Sequence, residues 1–240
     1  MDLAGKNVII TGGSAGLGRA LAFALARRGA RLALVARGRA ALDATVAALR
    51  AEGAVAHAFP ADVGDKDAVY ALTGAIGAVL GDVDAVVHDA STLGPTPLRV
   101  LGDTACEDLE RVLAVNVVGP FRLTKALIGP MLVRGAGLVV HVSSDAAVEA
   151  YPGWGPYGAS KAALDHLSRI WAAELDGTGV RFLGVDPGEM DTAMHAAAIP
   201  DADPATLARP ADVAEAVARL MEDAAIPSGA RVAASLGGAS

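Results

Sequence analysis

The sequence predicts a doubly wound α/β protein, in which a parallel sheet of about seven strands carries helices on both faces. Three observations lead to this fold class. Short apolar runs of strand length recur along the chain, segments with helical periodicity separate them, and glycines close both kinds of segment. Strands that are apolar throughout are typical of parallel sheets covered on both faces, and right-handed crossovers wind the helices on both sides. We expect all 240 residues to form a single domain.

Each predicted element is a short segment bounded by turn residues. The predicted strands cover residues 7–11, 31–35, 54–59, 84–88, 138–142, 180–185 and 230–235. Helices are predicted over residues 17–28, 40–52 and 66–80, where apolar residues recur at helical spacing. Loops rich in proline and glycine are predicted at 94–97, 152–156 and 186–204.

The composition limits the possible functions. The net charge of −7 argues against a general nucleic-acid surface, and no uninterrupted apolar run reaches the roughly 20 residues of a bilayer span. The chain enters its first strand without the features of a secretory signal, and its single cysteine, Cys106, cannot form an internal disulfide. We therefore expect a cytoplasmic protein that acts on a small molecule, without a nucleic-acid partner, a membrane or a metal.

A glycine-rich turn follows the first predicted strand and opens the first helix. Gly12, Gly16 and Gly18 have a Gly-x-x-x-Gly-x-Gly spacing, with Ser14 and Leu17 between them. Glycine lets the backbone approach a ligand closely, and a helix N-terminus offers unpaired N–H groups and partial positive charge. In this context the turn predicts a site for the pyrophosphate of a dinucleotide, and hence a Rossmann-type fold.

The end of the second strand distinguishes between two dinucleotides. A carboxylate there binds the ribose hydroxyls of NAD, whereas an arginine binds the 2′-phosphate of NADP. The chain has Arg37 at this place and no carboxylate, with Arg39 as a weaker candidate, and Ser14 adds a hydroxyl donor. We therefore predict a preference for NADP(H) over NAD(H). After the third strand, Asp62 and Val63 are predicted to contact the adenine, and helix capping is the alternative role for Asp62.

Three residues that can carry out proton transfer have a regular spacing. Tyr157 and Lys161 are four residues apart, and Ser144 lies thirteen residues before the tyrosine. On a helix, positions i and i+4 share a face. An ammonium beside a phenol lowers the tyrosine pKa from about 10 towards neutrality, so that it exchanges a proton at physiological pH. Taken alone, the pair also fits an amphipathic helix with a buried tyrosine and a solvated lysine.

In combination, these motifs resemble the short-chain dehydrogenase/reductase family, and the likeness covers essentially the whole chain. The glycine turn, an Asn116-Val117-x-Gly119 segment, Ser144 with Tyr157-x-x-x-Lys161, and Asp186-Pro187-Gly188 occur in the family's order. The resemblance implies that Tyr157 is the acid in reduction and the base in oxidation. It also implies that Ser144 binds the substrate oxygen, with Ser143 as its rival.

The resemblance implies further contacts with the cofactor. Lys161 would bind the nicotinamide ribose as well as lower the pKa of Tyr157, and Asn116 would hold a water that relays protons to Lys161. Pro187, Gly188 and Thr192 would contact the cofactor after the sixth strand. The nicotinamide itself would supply the hydride.

One segment departs from the family pattern. Strand four usually ends in Asn-Asn-Ala-Gly, whereas here the chain has His88, Asp89, Ala90 and Ser91. Ala90 keeps its expected place beside the adenosine ribose. The replacements are either a tolerated variant or a pH-sensitive contact, since a histidine such as His88 can titrate near neutrality. The C-terminal turn at 236–238 also differs from the usual Asp-Gly-Gly.

The predicted substrate pocket lies beneath a long segment, residues 189–207, which contains proline and covers the substrate in the family. A moderately apolar pocket is predicted, although His195 also fits an ordinary loop histidine. Its proposed lining residues are Leu93, Tyr151, Trp154, Met190, Met194 and His195.

The sequence therefore predicts an NADP(H)-dependent oxidoreductase that acts on a small, fairly apolar carbonyl compound or secondary alcohol. A non-catalytic, NADP(H)-sensing regulator and an NAD-linked dehydrogenase are the alternatives. Helices at about 105–132 and 156–175 correspond to the usual dimer faces of the family, so a homodimer or homotetramer is expected.

Overall fold

Seven strands form one sheet at the centre of the computed structural model, which describes residues 1–234. The strands are β1 (Asn7–Thr11), β2 (Arg31–Ala36), β3 (Ala56–Pro60), β4 (Ala85–His88), β5 (Gly137–Val142), β6 (Val180–Asp186) and β7 (Ala230–Ala233). All neighbours are parallel, in the order β3-β2-β1-β4-β5-β6-β7. The predicted fold class is thereby confirmed. The predicted end of the last strand, residue 235, and the turn at 236–238 lie outside the described residues.

Helices cover both faces of this sheet. They are α1 (Gly16–Arg27), α2 (Arg39–Ala51), α3 (Ala68–Leu80), α4 (Cys106–Leu113), α5 (Gly119–Arg134), α6 (Gly155–Glu174), α7 (Ala193–Ala198) and α8 (Pro210–Glu222). Successive strand residues point to opposite faces. Val8 and Ile10 therefore pack in the core beneath α1, α2 and α8, while Ile9 packs in the core beneath α3, α5 and α6. Two apolar cores hold the sheet between the helix layers.

The strand order reverses between β1 and β4, because the chain turns outward through β2 and β3 before it returns to the other side of β1. In an open α/β sheet, this reversal leaves a crevice at the carboxyl ends of the strands, where ligands bind. Two segments lie at this crevice. One is the glycine turn after β1, and the other is His88–Asp89 at the end of β4, where the sequence departs from the family pattern.

The structure differs from the predicted elements in the segment 189–207, which was expected to be a loop. It contains α7, because the Thr192 hydroxyl accepts a hydrogen bond from His195 N at 3.2 Å and caps the helix start. Its two ends are tied by a bridge in which Asp191 N donates to Ala208 O at 3.0 Å and Ala208 N donates to Glu189 O at 3.1 Å. The α8 helix was not predicted either.

A π-helical turn, Ala114–Val118, joins α4 to α5 and carries Asn116. The continuous stretch Cys106–Arg134 has the length and mean hydropathy, 1.3, of a membrane-spanning helix. Buried core helices share these properties, and Val112, Leu123 and Met131 are completely buried here. The stretch is thus one of the helices that cover the sheet.

Candidate active site

A cavity of about 270 Å³ opens at the carboxyl ends of the central strands, and three of the predicted catalytic residues line it together. Ser144 follows β5, while Tyr157 and Lys161 come from the first two turns of α6. Pro156 favours the start of α6 at this place because its ring presets a helical φ. Tyr157 is 8% exposed and Lys161 is 2% exposed. The alternative of a solvated lysine is therefore wrong.

The Lys161 ammonium is held inside the protein by a backbone carbonyl. Its Nζ donates to Val142 O at 2.7 Å and lies 5.5 Å from the centroid of the Tyr157 ring. Burial lowers the pKa of Lys161 to about 8, and the carboxylates of Asp89, Asp165 and Asp186 oppose that change. The lysine thus remains mostly cationic at neutral pH.

The pKa of Tyr157 does not follow the prediction. Burial raises it to about 12, a hydrogen bond with Ser144 lowers it, and the carboxylates of Asp89, Asp145 and Asp186 raise it. The expected fall towards neutrality is therefore wrong for this arrangement, because removing the phenolate from water outweighs the hydrogen bond with Ser144. At neutral pH the phenol keeps its proton, which is the form that an acid in carbonyl reduction requires.

The two neighbouring serines have different surroundings. The Ser144 hydroxyl donates to Asp145 Oδ1 at 2.9 Å, and it lies close enough to the phenol to lower the pKa of Tyr157. The Ser143 hydroxyl is buried and donates to Asp165 Oδ2 at 2.6 Å. Both serines thus donate to a carboxylate and both line the cavity. Ser144 is the one that acts on Tyr157, and its role towards a substrate oxygen stays a prediction.

Asn116 lies behind the cavity, where its side chain connects two parts of the site. Its Oδ1 accepts from Thr92 N at 2.8 Å, and its Nδ2 donates to Thr92 O and to Ser160 Oγ, both at 2.9 Å. The amide therefore fixes the loop after β4 to α6. The water relay implied by the family resemblance stays a prediction.

A second depression, a groove of about 340 Å³, lies along the glycine turn. Most predicted cofactor residues line it, whereas Tyr157, Lys161, Pro187 and Gly188 line the catalytic cavity instead. Gly18 packs beneath the turn and is buried. The predicted residues along the groove are Gly12, Ser14, Gly16, Leu17, Arg37, Asp62, Val63, Ala90 and Thr192.

The glycine turn fits the pyrophosphate of a dinucleotide. A Cβ on Gly12 would lie 2.9 Å from Ala90 N, and Gly12 has a φ of +78°, so only glycine suits this close turn. The α1 helix begins beside the groove after Ala15, which provides no side-chain cap. The backbone of Gly18, in its first turn, acts on the Asp89 carboxylate. The N–H groups of Gly16 and Leu17 lie beside the groove, where they can bind an anion.

Arg37 and Asp62 both line this groove, and the charge of Arg37 acts on the Asp62 carboxylate. Arg37 is exposed and extends from the end of β2. Asp62 pairs with Arg111 at 2.5 Å and accepts from Gly64 N at 2.9 Å. The helix-capping alternative for Asp62 is wrong, because α3 begins only at Ala68. Although partial burial opposes it, these two partners lower the pKa of Asp62 and keep it ionised.

His88 is a buried, neutral part of the sheet. Its ring stacks on His141 with centroids 5.0 Å apart, and its Nε2 lies 2.9 Å from Thr124 Oγ1. Burial, and then the nearby His141, lower the pKa of His88 well below 6.5. The alternative in which His88 is a pH-sensitive contact is therefore wrong, since its surroundings exclude the water that a cation needs.

The titratable group in this segment is Asp89. Its carboxylate lies against the glycine turn, where a Cβ on Gly12 would be 2.8 Å from Oδ2. Burial raises the pKa of Asp89 to about 7, while Lys161 and the backbone of Gly18 lower it. Asp89 lines both the cavity and the groove.

Asp89→Asn is expected to stabilise the protein increasingly as the pH rises from about 4 to about 7. The unfolded carboxyl ionises near 3.8 and the folded one near 7, so the wild type loses stability across this window. These two pKa values alone give a gain that is near zero at pH 4 and about 4 kcal/mol at pH 8, and the lost attraction between Asp89 and Lys161 reduces it. Urea unfolding of both proteins across this range measures the difference.

Asp43→Asn, on the exposed face of α2, is the matched control and should show no pH-dependent difference. The buried His88 and His141 also titrate on unfolding, but they contribute equally to both proteins and cancel in the comparison. A gain for Asp89→Asn that is the same at pH 5 and pH 8 would contradict the assigned pKa.

The walls of the catalytic cavity include all six residues predicted for the substrate pocket, and that role stays a prediction. Tyr151, Trp154 and Tyr157 form an aromatic ladder with centroid distances of 6.5 and 5.7 Å. The α7 helix and the residue after it add Ala198 and Ile199, which the sequence did not suggest. The six predicted residues are Leu93, Tyr151, Trp154, Met190, Met194 and His195.

Two charged residues next to the site were missed from the sequence. Asp165 lies four residues after Lys161, so the helical spacing could have revealed it. Arg231 comes from β7, and only the folded sheet brings it near Ser144. Within residues 1–234, no group of three or more histidine, cysteine or acidic side chains is placed to hold a metal ion.

Fold and site together define a Rossmann-type protein in which a dinucleotide groove opens onto a cavity with serine, tyrosine and lysine. The sequence profile of the short chain dehydrogenases matches residues 6–203. A short chain dehydrogenase of Pseudocercospora fijiensis is 38% identical over 200 residues, which cover 81% of this chain and 63% of that protein. The chain therefore belongs to the short chain dehydrogenase family, and it spans less than two thirds of this relative's length.

Other comparisons extend over nearly the whole chain. The 2-(S)-hydroxypropyl-CoM dehydrogenase 3 of Xanthobacter autotrophicus is 34% identical and covers 94% of this chain and 93% of its own. A short chain dehydrogenase of Shigella flexneri, solved with NADP, has a TM-score of 0.90 at 30% identity over 97% of this chain and 98% of its own. A xylitol dehydrogenase solved with NAD⁺ has a TM-score of 0.87 at 25% identity, over 99% of this chain and 100% of its own.

Proposed function

We propose that this protein is an NADP(H)-dependent oxidoreductase that reduces a small, fairly apolar carbonyl compound or oxidises the matching secondary alcohol, with Tyr157 as acid and base. The observation that carries this proposal is the continuity of the two depressions. The dinucleotide groove and the catalytic cavity share five lining residues, Asp89, Ser91, Met190, Thr192 and Met194. A dinucleotide that follows the groove therefore reaches the cavity, where its nicotinamide supplies the hydride chemistry.

The side chains around the cavity supply the proton chemistry. The high pKa of Tyr157, about 12, keeps the phenol protonated at neutral pH, so it can donate this proton to the oxygen of a carbonyl substrate. Ser144 orients that oxygen by a hydrogen bond. Lys161, beside the tyrosine ring, stabilises the phenolate that forms after proton transfer.

The walls of the cavity limit the substrate class. Leu93, Trp154 and Met194 give it apolar sides, while Asp145 and Glu189 are carboxylates within its lining. Burying an anionic substrate beside such carboxylates is unfavourable. The cavity therefore favours neutral carbonyl compounds over carboxylic acids.

Arg37→Asp is expected to change the choice of cofactor. Loss of charge-assisted hydrogen bonds to a 2′-phosphate should weaken NADPH binding by about 10- to 100-fold, and NADH binding should change by less than about threefold. NADPH and NADH consumption would be followed with a panel of ketones, aldehydes and diketones, together with fluorescence titration of each cofactor.

Arg39→Asp makes the same charge change two residues further on, outside the residues that line the groove, and should leave both affinities nearly unchanged. Equal losses for NADPH and NADH in Arg37→Asp would refute the NADP(H) preference and favour an NAD-linked dehydrogenase. Tight NADPH binding without turnover of any compound in the panel would favour the regulatory alternative.

The assembly and the location of the protein are proposals of the same kind. Three apolar side chains are exposed in this region: Val118 in the π-helical turn, Phe121 on α5 and Ile170 on α6. These helices correspond to the dimer faces implied by the family resemblance, so a homodimer or homotetramer is proposed. A cytoplasmic location stays an expectation from the sequence.

A further inference from the structure

Arg231 connects the ends of several elements that carry the site, although it does not line the catalytic cavity itself. It lies on β7, and its guanidinium reaches towards β5, β6 and α6. Its Nη2 donates to the carbonyl oxygen of Ser144 and to Asp186 Oδ2, both at 2.8 Å, and its Nε donates to Asp165 Oδ2 at 3.0 Å. We propose that Arg231 is a positioning residue for the reaction, which holds Ser144 and the turn after β6 in place.

The bond to the Ser144 carbonyl fixes the peptide that follows the serine. Ser144 has an extended backbone, with φ −163° and ψ 157°, at the point where β5 gives way to a short 3₁₀ turn. The same carbonyl also accepts from Ala147 N at 3.0 Å. Without Arg231, only this bond of the 3₁₀ turn holds the peptide, which can then tilt and carry the hydroxyl away from Tyr157. Arg231 thus controls the direction of a side chain that it does not touch.

The bond to Asp186 fixes a second wall of the cavity. Asp186 Oδ1 accepts from Gly188 N at 3.0 Å, so the carboxylate links Arg231 to the Pro187–Gly188 turn. Both turn residues line the cavity. One arginine therefore sets the distance between the serine and the turn that faces it.

Arg231 also neutralises carboxylates that act on the catalytic pair. Asp165 is 8% exposed and lies one helical turn after Lys161, and it forms an ion pair with Arg231, as Asp186 does. Asp89 is the third carboxylate that acts on Lys161. Asp89, Asp145 and Asp186 act on Tyr157. Removing Arg231 leaves Asp165 and Asp186 unbalanced, so the pKa values of Lys161 and Tyr157 should rise.

The kinetic test compares Arg231→Ala, Arg231→Lys and the wild type in NADPH-dependent carbonyl reduction. Arg231→Ala should lower kcat by about 30- to 100-fold while NADPH affinity changes less than about threefold. Arg231→Lys keeps the charge but has no planar fork for three acceptors, so it should recover only part of kcat. Arg169→Ala, on the exposed surface of α6, is the matched control and should keep wild-type turnover.

A second readout does not need turnover. The chain has four lysines, so the Cε resonance of Lys161 can be assigned by comparison with Lys161→Met and titrated by NMR. In Arg231→Ala the pKa of Lys161 should rise by about half a unit or more, whereas Arg231→Lys should restore the wild-type value. If Arg231 had a purely structural role, the pKa of Lys161 would not follow the charge at position 231. It would then not rise in Arg231→Ala and return to the wild-type value in Arg231→Lys.

The proposal rests on the proposed function for its kinetic part, and the two can fail separately. Wild-type protein that turns over no carbonyl compound counts against the function, while the Lys161 titration still tests Arg231. Full kcat in Arg231→Lys, or an unchanged Lys161 pKa in Arg231→Ala, would overturn the positioning role. If Arg231→Ala does not fold, Arg231→Lys decides: reduced kcat with a wild-type Lys161 pKa supports the proposal.

Discussion

Tyr157→Phe should reduce NADPH-dependent carbonyl reduction by about 10²- to 10⁴-fold, the range that a positioned proton donor contributes. Phenylalanine keeps the ring that packs 5.7 Å from Trp154 and 5.5 Å from the Lys161 ammonium, and it removes only the hydroxyl. Stability and NADPH affinity should therefore change little. Steady-state turnover, with cofactor titration on the same samples, measures both effects.

Tyr70→Phe is the matched control for this prediction. Tyr70 lies on α3 with 60% of its surface exposed, and the loss of its hydroxyl should leave turnover unchanged. If Tyr157→Phe keeps more than about a tenth of the wild-type turnover, the proton comes from another group and the assignment of Tyr157 fails.

Gly18→Ala should damage both stability and cofactor binding. A Cβ at this position would lie 2.5 Å from Gly12 O and 2.6 Å from Asp89 Oδ2, closer than real Cβ contacts allow. The turn after β1 must then move away from α1. We expect the free energy of unfolding to fall by about 1–3 kcal/mol through overpacking. We also expect NADPH affinity to fall by about 30-fold or more, because the displaced turn no longer fits a pyrophosphate.

Gly74→Ala is the matched control, and here the same substitution should stabilise the protein. Gly74 also lies within a helix, α3, but a Cβ there meets nothing within 4 Å. Alanine should stabilise that helix by about 0.5–1 kcal/mol and leave NADPH affinity unchanged. Urea unfolding and fluorescence titration distinguish the two variants, and wild-type affinity in Gly18→Ala would show that the turn tolerates the added methyl group.

Much of the fold could be predicted because local sequence and tertiary structure agree. The apolar runs before Gly12 and after Gly29 are strands, since each is buried in the sheet on both faces. The start of α3 was placed two residues early, at Lys66, because the Asp65 carboxylate accepts from Asp67 N and extends the preceding turn. The π-helical turn at Asn116 has no local signal in the sequence, so it could not be predicted.

The candidate site shows a similar division. The spacing of Ser144, Tyr157 and Lys161 brought together residues that the structure does place around one cavity. Their pKa values could not be inferred from spacing, because burial, which spacing does not reveal, has the largest effect on Tyr157 and Lys161. Arg231 was missed for another reason. Its partners are 45 to 87 residues away in the chain, and only the pairing of β6 with β7 brings them near.

Because a bridge joins Met190 to Ala208, the segment between them can be replaced or changed in length while its two ends stay together. Since its two ends are joined to each other, the length of chain between them can vary at low entropic cost, about 0.6 kcal/mol for each doubling. The glycine turn and Arg37 lie outside it and would keep their geometry. Thr192 and Met194, near the first end of the segment, also line the dinucleotide groove. Grafts that keep the chain up to Met194 and rejoin it at Ala208 are therefore a route to enzymes that accept different molecules while the hydride donor stays the same.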